Sequence, residues 1–246
     1  MLTLLVHGGG STGRFWDRLL PYLESPALAV DLPGRAGKPA DLQTLTVDDE
    51  VAGVLDDLRG TDDDVLVVAH SSGGLVVPGV VAGLGDRARH IVLNAALVPT
   101  EGGCGIECMQ PRHREGLSLV VEQARAAGTP IPELPGAPAD PEPFRRTYGG
   151  DPLDDETLAF VTDPVRCVPD TVNHYFQPVH WSRAAHVPVT YVLNERDRPI
   201  PPELQAEMIE RLPRPPRVVR LDGGHVPAVT EPARFAEVLR SVASAT

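Results

Sequence analysis

Residues 65–75 read Val65-Leu66-Val67-Val68-Ala69-His70-Ser71-Ser72-Gly73-Gly74-Leu75. The first five are apolar and mostly β-branched, with no polar residue alternating among them. Such a run predicts a strand buried on both faces, as in a parallel sheet. The pattern after the turn predicts a helix over Gly73–Leu84. Ser71 therefore falls on a sharp turn between strand and helix. Ala69 and Gly73 stand two before and two after it, giving small-x-Ser-x-Gly. A nucleophilic serine on a strained turn needs small residues at those places, because backbones crowd around it. A helix N-terminus behind the serine would favour a developing oxyanion. Taken alone, a serine in this position is more often only a helix cap, so the argument rests on what accompanies it.

Further apolar runs predict strands at Leu2–Val6, Ala27–Asp31, Ile91–Asn94, Val187–Leu193 and Arg217–Leu221. Helical patterns lie between most of them, at Phe15–Leu23, Val47–Leu58, Glu203–Leu212 and Pro232–Val242. Val47, Val51, Val54, Leu55 and Leu58 share one helical face. Thr46 precedes them as an N-cap, with Asp48, Asp49 and Glu50 in a first turn that favours acids. Strand and helix in alternation predict a doubly wound α/β fold with a mostly parallel six-stranded sheet. Ligands bind such sheets at the carboxyl ends of the strands.

A serine hydroxyl is a weak nucleophile until a base takes its proton. His225, in Leu221-Asp222-Gly223-Gly224-His225, follows the last strand and is the candidate base. Asp197, in Asn194-Glu195-Arg196-Asp197, follows the fifth strand and is the candidate acid that orients it. Three polar groups thus follow three separate strand ends. His7-Gly8-Gly9-Gly10 follows the first strand, where glycines let backbone N–H groups approach a ligand. The N–H groups of Gly9 and Ser72 form the expected oxyanion hole. No Gly-Lys-Ser/Thr follows those glycines, which excludes a phosphate loop.

The alternation stops between about Thr100 and Ala185. Pro130, Pro132, Pro135, Pro138, Pro141 and Pro143 crowd this stretch, and short helices are expected at Arg112–Ala127, Asp154–Phe160 and Pro169–Phe176. A structureless loop of that length is uncommon, so residues 100–185 are expected to form a cap on a core of residues 1–99 and 186–246. His174, Tyr175, Phe176, His180 and Trp181 cluster late in the cap. Either they pack the cap on the sheet, or some line a substrate pocket, for which His174, Phe176 and Trp181 are candidates with Gly8, His70 and Val226. Phe15 and Trp16 are expected to staple the first helix to the core, and Asp31 to cap its own loop.

The net charge of −12 argues against nucleic-acid partners, which require a basic face. No apolar run approaches the roughly 18 to 20 residues of a membrane span. Cys104, Cys108 and Cys167 cannot all pair, and the N-terminus lacks the basic start of a signal peptide, so a cytoplasmic protein is expected. Cys104, Cys108 and His113 lack a fourth ligand and fit no standard zinc spacing, so no metal and no cofactor are expected. The expected partner is a small-molecule substrate.

Through His7-Gly8-Gly9-Gly10, Asp31-Leu32-Pro33-Gly34, Ala69-His70-Ser71-Ser72-Gly73-Gly74, Asn194-Glu195-Arg196-Asp197 and Gly223-Gly224-His225, the chain resembles the α/β-hydrolase-fold proteins. The order Ser, Asp, His along the chain is the one that fold uses. Asn94-Ala95-Ala96-Leu97-Val98-Pro99 and Tyr191–Pro202 look like the branch of plant-type methylesterases, small bacterial esterases and hydroxynitrile lyases. The likeness covers roughly residues 1–99 and 186–243. The lyases of that branch carry a Lys after the catalytic His and a Thr after the first-strand His. Here those positions hold Val226 and Gly8, which argues against cyanohydrin cleavage. The resemblance implies a serine hydrolase of an ester, thioester or lactone with a small apolar or aromatic substrate. A receptor that only captures its ligand, and a non-hydrolytic lyase or cyclase, are the alternatives.

Overall fold

The computed structural model describes residues 1–148, 150 and 153–244. The remaining residues of the expected cap and the last two of the expected core lie outside that description. Six strands form one sheet: β1 (Leu2–Val6), β2 (Ala27–Val30), β3 (Val65–His70), β4 (Ala88–Asn94), β5 (Val189–Asn194) and β6 (Arg217–Leu221). Their order is β2-β1-β3-β4-β5-β6, and every pairing is parallel. The mostly parallel sheet expected from the buried apolar runs is therefore wholly parallel.

Strand residues alternate between two hydrophobic clusters, because successive side chains point to opposite faces. Leu4, Val67, Ile91 and Tyr191 join the cluster that also holds Val51 and Val54 of α1 (Val47–Asp57), Val77 and Val80 of α2 (Val77–Leu84), and a methionine of the helix after β5. Leu5, Leu66, Val68, Val92 and Val192 face the other way. They meet Phe15, Trp16 and Leu19 on one side, and Phe235, Val238, Leu239 and Val242 of the C-terminal helix on the other. α1 begins with the expected N-cap: Thr46 Oγ1 accepts from Asp49 N–H at 3.0 Å, and Asp49 Oδ2 accepts from Thr46 N–H at 3.0 Å.

Between β4 and β5 the chain leaves the sheet and forms α3 (Pro111–Ala127), α4 (Glu142–Thr147) and α5 (Asp155–Thr162). α6 (Pro202–Glu210), α7 (Pro227–Thr230) and α8 (Pro232–Ala243) complete the helices among the described residues. The insertion does not simply lie on top of the sheet. Trp181 and Ala184 are buried in the cluster against α2, and Leu153, Leu158 and Val161 in the opposite cluster.

Several expected helices differ from those observed. Phe15–Leu23 forms two 3-10 turns, Gly13–Trp16 and Leu20–Tyr22, because Pro21 cannot donate to a continuous helix. Ser71–Leu75 is a separate 3-10 turn before α2, whose first turn contains Pro78. Pro169–Phe176 is helical only at Asn173–Phe176, and α4 carried no strong periodicity.

Candidate active site

The order of the strands makes the sheet diverge between β1 and β3. Loops leaving their carboxyl ends run in opposite directions and leave a crevice, the usual place for a ligand in such a sheet. The His7–Gly10 loop and Ser71 border that crevice. Ser71 sits at φ +51, in the left-handed region that a non-glycine residue enters only under constraint. Gly73 permits the turn: a Cβ there would lie 2.5 Å from His7 O. Leu97 N–H donates to Ser71 O at 2.9 Å, fastening the turn to the end of β4.

Asp197 follows β5 in a loop held from behind by Gln205 of α6. That buried amide accepts from Asn194 N–H at 3.0 Å and donates to Asn194 O and Ile200 O at 3.1 and 2.7 Å. Asp197 Oδ1 accepts from Ile200 N–H at 2.8 Å, which leaves Oδ2 for His225 Nδ1 at 2.7 Å. Both residues are buried. A carboxylate only accepts, so Nδ1 carries the proton and Nε2 is the free, basic nitrogen. The His225 loop is in turn zipped to the β5 loop by Arg196 N–H donating to Gly223 O at 2.9 Å.

His70 does not face the crevice. It is buried between Phe15, stacked at 4.7 Å, and His225, 4.6 Å away between ring centres. Its Nε2 donates to His225 O at 3.0 Å, so it supports the histidine loop. Burial, then the charge His225 would carry, lowers its pKa well below the ordinary histidine value. His7 is also buried and neutral. Its Nδ1 donates to Gly8 O at 2.8 Å and its Nε2 accepts from Leu32 N–H at 3.3 Å. Burial, followed by the Arg35 charge, lowers its pKa to about 3.

Two cavities meet at Ser71. The first, about 460 Å³, runs under α3 and is lined by Leu97, Cys108, Met109, Leu117 and Ile200. Burial pushes the Cys108 thiol up to about 12, so it stays protonated and serves as apolar wall. The second, about 420 Å³, contains Gly9, His225 and the aromatic side chains Phe15, Phe144, Tyr148 and Phe160. Tyr148 meets the His225 ring edge to face at 5.6 Å. Ser71, Leu134, Tyr175 and Pro199 border both cavities.

Of the pocket candidates, Gly8, His70, His174, Phe176, Trp181 and Val226 line neither cavity. Trp181 and Val226 belong to the two cores, and Phe176 packs against the first. His174 is buried against Glu50, with Nδ1 3.3 Å from each carboxylate oxygen. Gly8 lies behind the nucleophile, where a Cβ would approach Ser71 Cβ to 2.9 Å. Tyr175 is the member of the late aromatic cluster that reaches both cavities. Phe144, Tyr148 and Phe160 carried no motif, because only the folded insertion brings them to the site. Phe15 and Trp16 both pack in the core as expected; Trp16 stacks on Phe235, and Phe15 also lines the second cavity. Asp31 accepts from Gly13 N–H at 2.7 Å.

Glu50, Asp170 and His174 place donor atoms within 4.8 Å of one another, a spacing a cation could use. The cation they gather is the buried Arg35 guanidinium, 3.4 Å from Glu50 and directly paired with Asp170. Burial would lower His174, but Glu50 and Asp170 outweigh it and raise its pKa. No helix among the described residues is long and apolar enough to cross a membrane.

The pyrethroid hydrolase of Sphingobium wenxiniae is 24 % identical over 254 residues, spanning 98 % of this chain and 87 % of its own. An extracellular alpha/beta-hydrolase from a Paenibacillus species, reported to share structural and functional homology with tobacco salicylic acid binding protein 2, superposes with a TM-score of 0.79. Its identity is 19 % and the match covers 97 % of each chain. The methylesterase MES16 of Arabidopsis superposes with a TM-score of 0.75 at 19 % identity over the whole of both chains. The model of the alpha/beta hydrolase family matches residues 3–238, from the first strand into the last helix. The crevice and its loops are thus those of a shared fold, and the chain belongs to the alpha/beta hydrolase family.

Proposed function

We propose that the protein is a serine hydrolase of carboxylic esters, working through an acyl-enzyme. One observation carries this reading: the constrained Ser71 and the Asp197-bonded His225 open on the same cavity. Ser71 Oγ attacks the ester carbonyl as His225 Nε2 takes its proton. The N–H groups of Gly9 and Ser72 receive the oxyanion. His225 then protonates the departing alkoxide, and a water deprotonated by the same nitrogen releases the acid. Asp197 keeps the ring in the required tautomer and stabilises its charged form. Thioesters and lactones are open to the same sequence of steps.

The two cavities support a division of the substrate into two halves. The leaving alkoxide must face its proton donor, and His225 borders only the second cavity. The alcohol half therefore lies among Phe15, Phe144, Tyr148 and Phe160, which suits an aromatic group. The acyl half lies along Leu97, Leu117 and Ile200, which suits an aliphatic one. A panel of esters with acyl and alcohol parts varied separately tests this. The expected result is highest kcat/KM for aliphatic acyl esters of aromatic alcohols, with turnover lost in Ser71→Ala. Full activity in Ser71→Ala would overturn the mechanism. Ligand binding without turnover would favour a receptor, and a rearranged product without added water a lyase or cyclase.

A further inference from the structure

The oxyanion donor Gly9 lies in a run of three glycines, which has little stiffness of its own. A donor of this kind is effective only if it is already in place when charge develops. The peptide that carries the Gly9 N–H is tied to the core by His7 Nδ1 donating to Gly8 O at 2.8 Å, and the peptides that follow it are restrained by the insertion. Asp170 Oδ2 accepts from Gly10 N–H at 2.7 Å, and Gly10 O accepts from Val168 N–H at 2.9 Å. The peptide units on both sides of Gly10 are therefore held by residues about 160 positions away. Thr12 Oγ1 adds a third tie, donating to Val165 O at 2.9 Å. The Tyr175 hydroxyl closes in on Gly9: a Cβ there would lie 2.6 Å from that oxygen and 3.1 Å from Asp170 Oδ2.

A buried carboxylate this close to a developing oxyanion would oppose it unless neutralised. Arg35, on the loop after β2, supplies the neutralising charge. Its guanidinium pairs with Asp170 Oδ1, which also accepts from Thr171 N–H at 2.7 Å, and donates to Pro33 O at 2.7 Å. Asp170 and Arg35 are both buried and, with Glu50 and His174 behind them, form one network joining core and insertion.

We propose that Asp170 and Arg35 are positioning residues of the oxyanion hole: Asp170 fixes the Gly9–Gly10 peptide, and Arg35 cancels the charge that this fixing introduces. This rests on the reading of Ser71 as nucleophile and Gly9 as donor. The two roles predict opposite responses to the second substitution in a pair. Arg35→Met leaves an unpaired carboxylate beside the hole and lowers kcat by about 10²-fold, with KM nearly unchanged, the size of effect expected from a misplaced catalytic group. Adding Asp170→Asn removes the charge while the amide oxygen still accepts from Gly10, so the double variant regains at least tenfold in kcat. Affinity for a trifluoromethyl ketone, which mimics the tetrahedral oxyanion, follows kcat in both variants, while affinity for the product acid does not.

Cooperative thermal unfolding of each variant establishes that it is folded. If Arg35→Met alone does not fold, the neutral double variant is compared with Asp170→Ala, which lacks the acceptor for Gly10 and is expected to be at least tenfold slower. The proposal is overturned if kcat is unchanged in the variants, if only KM moves, or if the second substitution adds to the loss. Ser71→Ala separates the two claims. An inactive Ser71→Ala with fully active Arg35 and Asp170 variants removes the positioning role alone, whereas an active Ser71→Ala removes the hydrolase mechanism beneath it.

Discussion

The carboxyl edge of the sheet and the insertion above it contribute to one site by different means. At the sheet edge each group of the proposed mechanism sits within a few residues of a strand end: Gly9 after β1, Ser71 after β3, Asp197 after β5 and His225 after β6. Strand pairing sets their separation, and local bonds such as those of Gln205 set their angles. In the insertion the useful residues are scattered over 108–175, and only folding brings them to the cavity walls and to Gly10. In the proposed mechanism the sheet edge supplies the chemistry, and the insertion supplies the cavity walls and a tie to one loop.

The largest effect that separates the regions comes from Asp197→Asn. An amide can accept from, or donate to, the wrong histidine tautomer while leaving packing intact. The expected loss in kcat is about 10⁴-fold, with the unfolding temperature little changed. A loss below tenfold would remove the acid from the site and assign Asp197 to loop structure alone. Substitutions in the insertion should instead redirect selectivity. Phe144→Ala is expected to cost about tenfold in kcat/KM for aromatic-alcohol esters and little for small-alcohol ones, in the range of pocket methylene effects. Leu117→Ala should do the reverse, acting on long acyl chains. Equal losses for both ester series in either variant would break the division into acyl and alcohol cavities.

Acid provides a smaller, graded comparison. His7 and His70 are buried neutral on the core side, with folded pKa values below the ordinary 6.5. The unfolded chain binds protons below that pH that the folded chain refuses. Stability should therefore fall on acidification, by about 1.4 kcal/mol per pH unit for each such group while pH stays above its folded pKa. His174, at the seam with the insertion, has the opposite sign. Its folded pKa is raised, so its contribution is complete below 6.5 and is lost as pH rises through the folded value. Chemical denaturation at pH 5, 6.5 and 8 should show weaker overall stability at pH 5. Hydrogen-exchange protection factors, which correct for the intrinsic rise of exchange with pH, should fall at pH 8 only for residues 168–176. Protection factors in that segment that are unchanged or higher at pH 8 would contradict the sign assigned to His174.

The same contrast explains which parts were legible from sequence. Buried runs such as Val65–Ala69 announce a parallel sheet, because both faces must be apolar. Ser71 is readable because the turn that strains it requires small residues at fixed distances, Ala69 and Gly73. His225 and Asp197 are legible as candidates because each follows a strand end and, with Ser71, they stand in the chain order that the family resemblance implies. His174 and Trp181 mislead, because an aromatic cluster serves core and pocket equally well until packing decides. Glu50 looks like an acid on a helix's first turn, yet it is buried with Arg35 and His174. Asp170 carries no local signal. Its role arises from a contact with Gly10 that spans most of the chain.

Mass spectrometry after reaction with a serine-directed organophosphonate tests the central claim most directly. The account predicts one adduct per chain, on Ser71, forming with loss of ester hydrolysis, absent in Ser71→Ala and slowed in Asp197→Asn. Hydrolysis that survives complete modification of Ser71, or an inactivating adduct on another residue, would contradict it.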